Sequence, residues 1–451
     1  MADDFAAYDA YIERNFDGFV TELREFCSQP ALAGQKIGLA ESGDMVRGKI
    51  EGLGGRVEFV PVEDGSPVIL GELGAGEKTL LLYNHYDVQP PEPLELWDSP
   101  PYAGEVRGGR FFARGVADDK GDLLARVQAI RAYQETVGPL PLRLRWLIEG
   151  EEEIGSPHLA PVVRAHADAL RADFCAWEGG GRDVHGRPQV VCGMKGMLYI
   201  ELHATGPSHD VHSGNGGIIP NPSWRLVQAL ATIKDAHDNI TLDGLPDLIA
   251  EPSRADLAAA DAMPFDEEAL AQLYGVDHWQ SDLRGRDVLN TLMFKPTANI
   301  AGFTSGYGGP GSKTIVPSKA VVKMDFRLVP NQTPAKMLDL VRRHLARRGF
   351  SDVEVVELGG LEVGKTPVDS PFVQTALSVW HGLVPGGANL VPMTGGSGPI
   401  SLVASDLGIP TAMVCGPGFA GSAIHSPNES IKLEDYRTTL RYWGRLFARL
   451  A

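Results

Sequence analysis

The sequence predicts an α/β fold that carries a smaller inserted α+β module. Over the first 195 residues, apolar patterns typical of helices alternate with short apolar runs typical of buried strands. Near residue 196 the order changes to strand, helix, strands, helix and strand, and from about residue 367 the first pattern resumes. These observations divide the chain into segments 1–195, 196–366 and 367–451.

The composition is that of an ordinary soluble globular protein. The 451 residues are sufficient for two domains, with 43% hydrophobic and 22% charged residues. The net charge of −17 argues against nucleic acid or an anionic membrane surface as the main partner. It leaves an anionic substrate open, because a bound metal or an arginine can outweigh the overall field locally.

The cysteines and the N-terminal segment indicate a cytoplasmic protein. The four cysteines (Cys27, Cys175, Cys192 and Cys415) are far apart and form no CxxC pair. Neither a thiolate zinc site nor a disulfide framework is therefore expected, and buried free thiols fit a reducing compartment. The acidic N-terminal stretch lacks a signal pattern, and no run of 18 apolar residues predicts a membrane span.

The first segment predicts alternating helices and strands. Apolar residues at helical spacing end before Pro30, and the next helix ends at Gly54-Gly55. Gly108-Gly109 predicts a hairpin turn. The predicted helices are 3–28, 36–53 and 122–136, and the predicted strands are 56–62, 67–73, 79–84, 142–148 and 172–177.

The buried strand predicted at 79–84 runs into a candidate metal ligand. His85 follows the strand directly, and Asp87 comes two residues later. Side chains two apart on a strand share a face, so both can point to the same place. An imidazole with a carboxylate beside it is a recurrent metal-binding arrangement. Alone the pair is weak evidence, since such residues more often have a structural role.

Further carboxylates stand at the neighbouring strand ends. Asp118 lies at a strand-to-helix junction, Glu152 and Glu153 follow the strand at 142–148, and Glu178 follows the strand at 172–177. Singly, each has a structural explanation: a helix N-cap for Asp118 or a solvated face for the acidic run. Together they supply metal-type ligands where α/β sheets place their sites.

The inserted module and the last segment supply further elements. A Gly-rich loop carries His209 and His212, and a later loop carries His425, which taken alone fits a structural histidine. A Gly-Gly-Ser turn at 395–397 precedes a helix. The predicted strands are 197–206, 318–330, 353–360 and 410–418; the predicted helices are 221–236, 333–349, 370–383 and 436–450, with a helical excursion at 238–290.

Eight motifs occur in the order and spacing of a known family. The sequence resembles the di-zinc exopeptidases, which include carnosinases and other cytosolic dipeptidases, carboxypeptidase G, aminoacylase, acetylornithine deacetylase and succinyl-diaminopimelate desuccinylase. The resemblance covers residues from about 10 to 450 and implies a three-layer α/β/α metallopeptidase catalytic domain with an inserted α+β lid/dimerisation domain. The motifs are HYD, RGVADDKGD, EGEEEIGS, WEGG, HDVHSG, FRLVP, TGGSGP and AIHSPNE.

The resemblance implies a pair of metal ions held by five side chains. The expected cofactors are two Zn²⁺ per chain, with Mn²⁺ or Co²⁺ as alternatives, because mixed nitrogen and oxygen ligands without thiolate suit these ions. A cis peptide is expected after the bridging aspartate. The implied roles are Asp118 as the bridge, His85 and Glu178 on one metal, Glu153 and His425 on the other, and Asp87 as the residue that orients His85.

The resemblance also implies the catalytic and substrate-binding residues. Glu152 would act as the general base on a metal-bridging water. His212 would come from the lid of a partner subunit, so a homodimer is implied. The substrate carboxylate would be held by Arg327 and the backbone around Gly395, Gly396 and Ser397, with Asn299 as a further contact.

We expect a metal-dependent dipeptidase that acts next to a free C-terminal carboxylate. The alternative is an N-acyl-amino-acid deacylase, because the family's dipeptidases usually have Asp where this chain has Glu178. The chain length, the FRLVPNQTP segment and the Gly-Gly-Ser turn favour the carnosinase-type dipeptidases. A non-catalytic binding protein on the same fold would need a broken site, whereas every ligand position and Glu152 are present.

Overall fold

A mixed eight-stranded sheet forms the centre of the molecule. The computed structural model describes residues 5–451. The central strands run parallel, so their carboxyl ends meet at one edge of the sheet. The strands lie in the spatial order Arg56–Val60, Val68–Leu73, Arg143–Glu149, Thr79–His85, Phe174–Trp177, Thr411–Met413, Gln189–Val191 and Asn389–Val391.

Helices cover both faces of this sheet, which confirms the predicted three-layer α/β/α fold. Leu80 and Leu82 pack into one core, whereas Leu81 and Tyr83 pack into the other, as alternation along a strand requires. The first face is covered by helices Ala6–Ser28, Leu39–Glu51, Lys120–Thr136, Pro371–Leu383 and Leu433–Leu450, and the second by helices Leu159–Ala165, Ala167–Leu170 and Leu402–Asp406.

The inserted module contains a second, antiparallel sheet with its own core. Helices Pro222–Ile233 and Pro334–Arg347 pack against this sheet, and buried residues alternate with more exposed ones along its long strands. One face is therefore in a core, as expected for a half-buried antiparallel sheet. The strands lie in the order Asn299–Ser305, Lys319–Leu328, Gly196–Thr205 and Glu354–Leu361.

The predicted helical excursion forms helices Arg254–Ala262, Glu267–Tyr274 and Arg286–Phe294. Its buried residues Met263 and Met293 belong to the second core of the main sheet, although they lie in the inserted segment. This excursion therefore packs against the main sheet and its helices. The domain boundaries at 196 and 366 stay a prediction.

Most predicted elements are present with shifted ends, and the strand predicted at 410–418 is shortened to Thr411–Met413. The Gly108-Gly109 hairpin joins strands Glu105–Arg107 and Arg110–Phe112, and both glycines have positive φ. The first helix was predicted from residue 3, and residues 3 and 4 lie outside the described chain. The helix after the Gly-Gly-Ser turn is a single short turn at Leu402–Asp406.

Among the predicted elements there is no counterpart for the strands Gln189–Val191, Asn299–Ser305 and Asn389–Val391. Two of them have three residues, which is too short for a periodic pattern. The third is an edge strand that is mostly exposed. Among the described residues no helix is long and apolar enough to cross a bilayer.

One buried arginine connects the ends of two central strands. Arg126 is fully buried on the helix Lys120–Thr136. Its guanidinium donates to the carbonyls of Tyr83 (2.7 Å), Ala176 (3.2 Å) and Trp177 (2.7 Å) and pairs with the Asp122 carboxylate at 2.8 Å. These carbonyls lie just before His85 and Glu178, so Arg126 fixes the spacing of the two strand ends.

Replacing this arginine should weaken the fold strongly. Arg126→Met leaves the buried Asp122 without its cation, and we expect a loss of about 3–5 kcal/mol in the free energy of unfolding. Arg131→Met on the same helix removes a half-exposed ion pair with Glu22 and should cost at most about 1 kcal/mol. Urea unfolding, followed by circular dichroism, measures the free energy of unfolding of both variants. Equal losses in the two variants would show that Arg126 does not hold the two strand ends together.

Candidate metal centre

Two imidazoles face opposite oxygens of one carboxylate. Nε2 of the fully buried His85 lies 3.0 Å from Asp118 Oδ1 and 3.4 Å from Glu178 Oε2. Nε2 of His425 lies 3.2 Å from Asp118 Oδ2 and 3.1 Å from Glu153 Oε2. The structure thus brings together all five predicted metal ligands as two sets of nitrogen and oxygen donors that share Asp118.

The donor set fits divalent cations. Glu153 Oε1 and Glu178 Oε2 are buried and accept no hydrogen bond from the described residues. Buried carboxylate oxygens without donors are costly unless a cation binds them. Imidazole and carboxylate ligands without thiolate are those that Zn²⁺, Mn²⁺ and Co²⁺ accept.

Asp119 also lies near this centre, together with His85 and Glu178. Its Oδ2 accepts hydrogen bonds from Asn84 Nδ2 at 2.6 Å and from the His85 amide at 3.1 Å. The Asp119 carboxylate therefore stabilises the end of the strand that carries His85. The peptide between Asp118 and Asp119 is cis, as predicted.

Asp87 connects His85 to the segment that carries the acidic run. His85 Nδ1 lies 3.0 Å from the Asp87 carbonyl and 3.4 Å from Asp87 Oδ1, which leaves Nε2 directed at the carboxylates. The Asp87 carboxylate also accepts from the amides of Glu152 (3.2 Å) and Glu153 (3.1 Å). It therefore orients the imidazole and the acidic segment together.

The acidic residues in the run have different environments. Glu151 accepts from the Ser66 amide at 3.1 Å and from His158 Nδ1 at 2.6 Å, so its carboxylate is engaged away from the cluster. Glu152 instead lies against the Gly-Gly-Ser turn, because a Cβ built on Gly398 would be 3.6 Å from Glu152 Oε1. Of the three glutamates at 151–153, Glu152 is the one that lies beside the candidate metal ligands but is not itself a predicted ligand.

The electrostatics of the cluster indicate an excess of negative charge. Burial, together with the carboxylates of Asp118 and Glu153, raises the pKa of Glu152 to about 8. Hydrogen bonds to Asp118 and Glu153 raise the pKa of His425 to about 10. Burial disfavours a charged His85, but the adjacent Glu178 and Asp118 still raise its pKa well above the usual value. Bound cations would replace the protons that these groups otherwise retain.

The Gly-Gly-Ser turn lies where the inserted module joins the main sheet. The Gly396 carbonyl accepts from the Lys195 amide at 3.0 Å, and Ser397 Oγ donates to the Gly196 carbonyl at 3.0 Å. Since Gly398 follows the turn and lies near Glu152, these bonds hold the turn beside the candidate metal ligands.

The predicted substrate residues of the module lie on one sheet. Asn299 donates to Asp325 Oδ2 at 2.9 Å, and Arg327 Nε lies 3.5 Å from Asp325 Oδ1. Burial lowers the pKa of Lys195 to about 8, and the positive charge of Arg327 adds to this effect. Arg327 pairs with Met197 across the sheet, two residues after Lys195, whose amide donates to the Gly-Gly-Ser turn. The buried Lys195 was not among the residues predicted from the sequence.

His212 lies apart from the metal ligands of its own chain. It is exposed, pairs with Ile315 in a short two-stranded ladder and accepts the Gly214 amide at Nδ1 with a distance of 3.0 Å. Because Nδ1 accepts a backbone N–H, the neutral ring carries its proton on Nε2. Among the described contacts, none joins His212 to the carboxylate cluster.

Glu429 is a supporting residue that the sequence analysis did not identify. Its buried carboxylate accepts from the amides of Gly115 (3.0 Å), Ala117 (2.8 Å) and Asp118 (3.2 Å) and from Arg114 Nη1 (2.6 Å). It therefore holds the loop that presents Asp118. Its only sequence signal is its place at the end of the AIHSPNE motif.

Gln89 is a second supporting residue that was missed. Its amide donates to the carbonyl of Glu153 at 3.1 Å and to Glu153 Oε2 at 2.9 Å. It thus orients one of the candidate ligands.

Asp118 lies between two imidazoles with Glu152 nearby, at the carboxyl edge of a parallel sheet, and this arrangement could hold two metal ions and carry out metal-dependent hydrolysis. Residues 81–449 match the profile of "Peptidase family M20/M25/M40", and the chain belongs to this family and is a metallopeptidase.

The chain is similar over nearly its whole length to named relatives. It is 27% identical to Cys-Gly metallodipeptidase dug1 of Schizosaccharomyces pombe, with 94% of each chain covered. It is 26% identical to Beta-Ala-His dipeptidase of Rattus norvegicus, with 98% of this chain and 94% of the relative covered. A solved M20 family metallo-carboxypeptidase from Sulfolobus solfataricus matches with a TM-score of 0.91, 33% identity and coverage of 95% and 98%.

Loss of the Glu429 carboxylate should weaken metal binding. Glu429→Gln places an amide against three backbone N–H donors, so the Asp118 loop loosens, and we expect the affinity for Zn²⁺ to fall about 10–100-fold. Competition against a chromogenic chelator measures this, with thermal melting as a check of folding. Glu434→Gln, on the exposed first turn of the last helix, is the control. Equal affinities for Zn²⁺ in the two variants would show that Glu429 does not position Asp118.

Proposed function

We propose that this metallopeptidase is a dipeptidase with two Zn²⁺ ions per chain, Mn²⁺ or Co²⁺ being alternatives. The observation that carries the proposal is the arrangement of two imidazoles on opposite oxygens of Asp118. His85 and Glu178 would hold one metal, Glu153 and His425 the other, and Asp118 would bridge both. Asp119 would stabilise the strand end without binding a metal, because its Oδ2 already accepts two hydrogen bonds.

Glu152 would be the general base and then the general acid. When bound, two divalent cations supply Lewis-acid chemistry, which polarises a scissile carbonyl and lowers the pKa of a water to about 7. Glu152 would take the proton from the attacking water and return it to the leaving nitrogen. The Asp87 carboxylate would hold Glu152 in place through the Glu152 amide. Glu151 is a poor candidate for this role because both of its oxygens accept hydrogen bonds.

A free substrate carboxylate would be bound at the junction of sheet and module. The guanidinium of Arg327 suits bidentate recognition of a carboxylate. The backbone of Gly395, Gly396 and Ser397 would supply further contacts, and Asn299 would lie beside Arg327. The proximity of Lys195 adds positive potential at this position.

His212 of the partner subunit would complete the site in a homodimer. The proton on its Nε2 suits donation to a developing oxyanion. An exposed apolar patch on the module supports a dimer interface there: Trp224 and Val227 on one helix, with Ile300 and Phe303 on the adjacent edge strand, are 42–65% exposed. Ser223 and Ser305, 2.7 Å apart through their hydroxyls, connect the two elements.

Dipeptides are the preferred substrates in this proposal, because the named relatives of S. pombe and rat are dipeptidases. Deacylase activity towards N-acyl amino acids is the alternative suggested by Glu178, and the comparisons do not favour it. A cytoplasmic location is supported by four cysteines that are all free and buried.

One mixed pool of substrates tests the proposed reaction. It contains dipeptides, a tripeptide and N-acetyl, N-succinyl and N-carbamoyl amino acids, with Zn²⁺ or Mn²⁺ and an EDTA control, and is followed by mass spectrometry. We expect metal-dependent loss of the dipeptides, and no loss with Glu152→Ala although that variant keeps its metals. Loss of the acyl compounds alone would indicate a deacylase, and loss of nothing would favour a non-catalytic binding protein.

Complementation between inactive chains tests the role of the partner's His212. Alone, His212→Ala should lower kcat about 10²–10³-fold, since one oxyanion donor is removed. A heterodimer of a His212→Ala chain and a Glu152→Ala chain, purified through two different tags, retains one complete site if His212 acts across the interface. We then expect about half of the wild-type activity. If His212 acts within its own chain, the heterodimer will be as inactive as its parents.

A further inference from the structure

A large cavity lies next to the candidate metal ligands. Its volume is about 950 Å³, which is within the range of small-molecule sites. It is lined by Ala117, Gly179, Ile424 and Ser426, which are chain neighbours of three candidate ligands. It also reaches Thr394, directly before the Gly-Gly-Ser turn. A substrate held at the metal centre would therefore extend into this cavity.

One wall of the cavity is apolar and comes from the helical excursion. Large apolar side chains are seldom grouped on an open surface unless they contact a ligand or partner. Leu273, Tyr274 and Leu292 are nevertheless 43%, 64% and 48% exposed. Catalytic-domain residues Phe419 and Ile424 add to the surface. The excursion also contributes the apolar side chains of Phe265, Leu270 and Leu289.

This wall packs against the catalytic layers, because its residues Met263 and Leu289 lie in the second core of the main sheet. Asp266 caps its own helix by accepting the Ala269 amide at 2.9 Å and pairs with His185 of the catalytic segment at 3.0 Å. The Gly285 amide donates to Glu267 Oε2 at 2.6 Å, which connects the second and third helices of the excursion. The cavity is therefore a formed site whose shape can select a substrate.

The charged residues that line the cavity are all engaged by the protein. Arg182 pairs with Asp435 at 3.0 Å, and the Asp183 carboxylate accepts from Asn389 Nδ2 at 2.8 Å and from backbone amides. Asp266 and His185 pair with each other. A charged substrate side chain would thus meet an apolar wall and no free counter-ion among the described lining residues.

We propose that this cavity binds a large apolar side chain of the substrate, so that the enzyme prefers dipeptides with Leu, Met or Phe at one of the two positions. The inference rests on the proposed dipeptidase function and deepens it. A single methylene group more or less in an apolar pocket changes kcat/KM by about 10–200-fold. We therefore expect at least a 10-fold preference for Leu or Phe over Ala, and a larger one over Asp or Lys.

Two substrate series and one pair of variants test this inference. The series are Xaa-Gly and Gly-Xaa dipeptides in which Xaa is Ala, Leu, Phe, Asp or Lys. Leu273→Glu places a charge on the cavity wall and should reduce the preference for Leu over Ala about 10-fold or more. Leu257→Glu is the matched control, because Leu257 is a 41% exposed leucine of the same excursion that does not line the cavity.

A binding measurement separates this inference from the proposed reaction. Calorimetry with L-phenylalanine and L-alanine should show tighter binding of phenylalanine to the wild type and to Leu257→Glu, but not to Leu273→Glu. If no dipeptide is hydrolysed, the proposed function is wrong. The calorimetry alone then decides whether the cavity binds a large apolar side chain. Hydrolysis of dipeptides without apolar preference in either series, or a preference unchanged by Leu273→Glu, would overturn the inference.

Discussion

The structure depends on the concentration of negative charge at one edge of a sheet. Asp118, Glu152, Glu153 and Glu178 converge there with two imidazoles, and most of these groups are shielded from water. Carboxylates that share the same imidazole neighbours lie close enough to repel one another strongly, because the surrounding medium has a low dielectric constant. The arrangement is stable only if cations compensate the charge and the surrounding scaffold prevents the carboxylates from separating.

The scaffold supplies this rigidity through buried hydrogen bonds. Arg126 fixes the ends of the strands that lead into His85 and Glu178, Glu429 holds the loop of Asp118, and Asp87 holds the segment of Glu152 and Glu153. Each support connects parts of the chain that are far apart in sequence. The catalytic centre is thus assembled only when the first and last segments of the chain have folded together.

The candidate ligands could be predicted because the sheet gives a regular signal. A buried strand such as Thr79–His85 is apolar along its length, so a polar residue at its carboxyl end is conspicuous. Glu429 gives no such signal, because a glutamate in a loop cannot be distinguished from a solvated one without knowing which amides it meets. The packing of the helical excursion was also beyond prediction, since apolar periodicity shows that a helix is buried but not against which sheet.

The proposed centre requires two metals that share Asp118. Crystals grown with Zn²⁺ and measured at the zinc absorption edge would locate the metals by anomalous scattering. We expect two peaks per chain, each about 2.0–2.2 Å from its imidazole and carboxylate ligands, with one oxygen of Asp118 near each. A single peak, or a metal bound by Asp119 in place of Asp118, would contradict it.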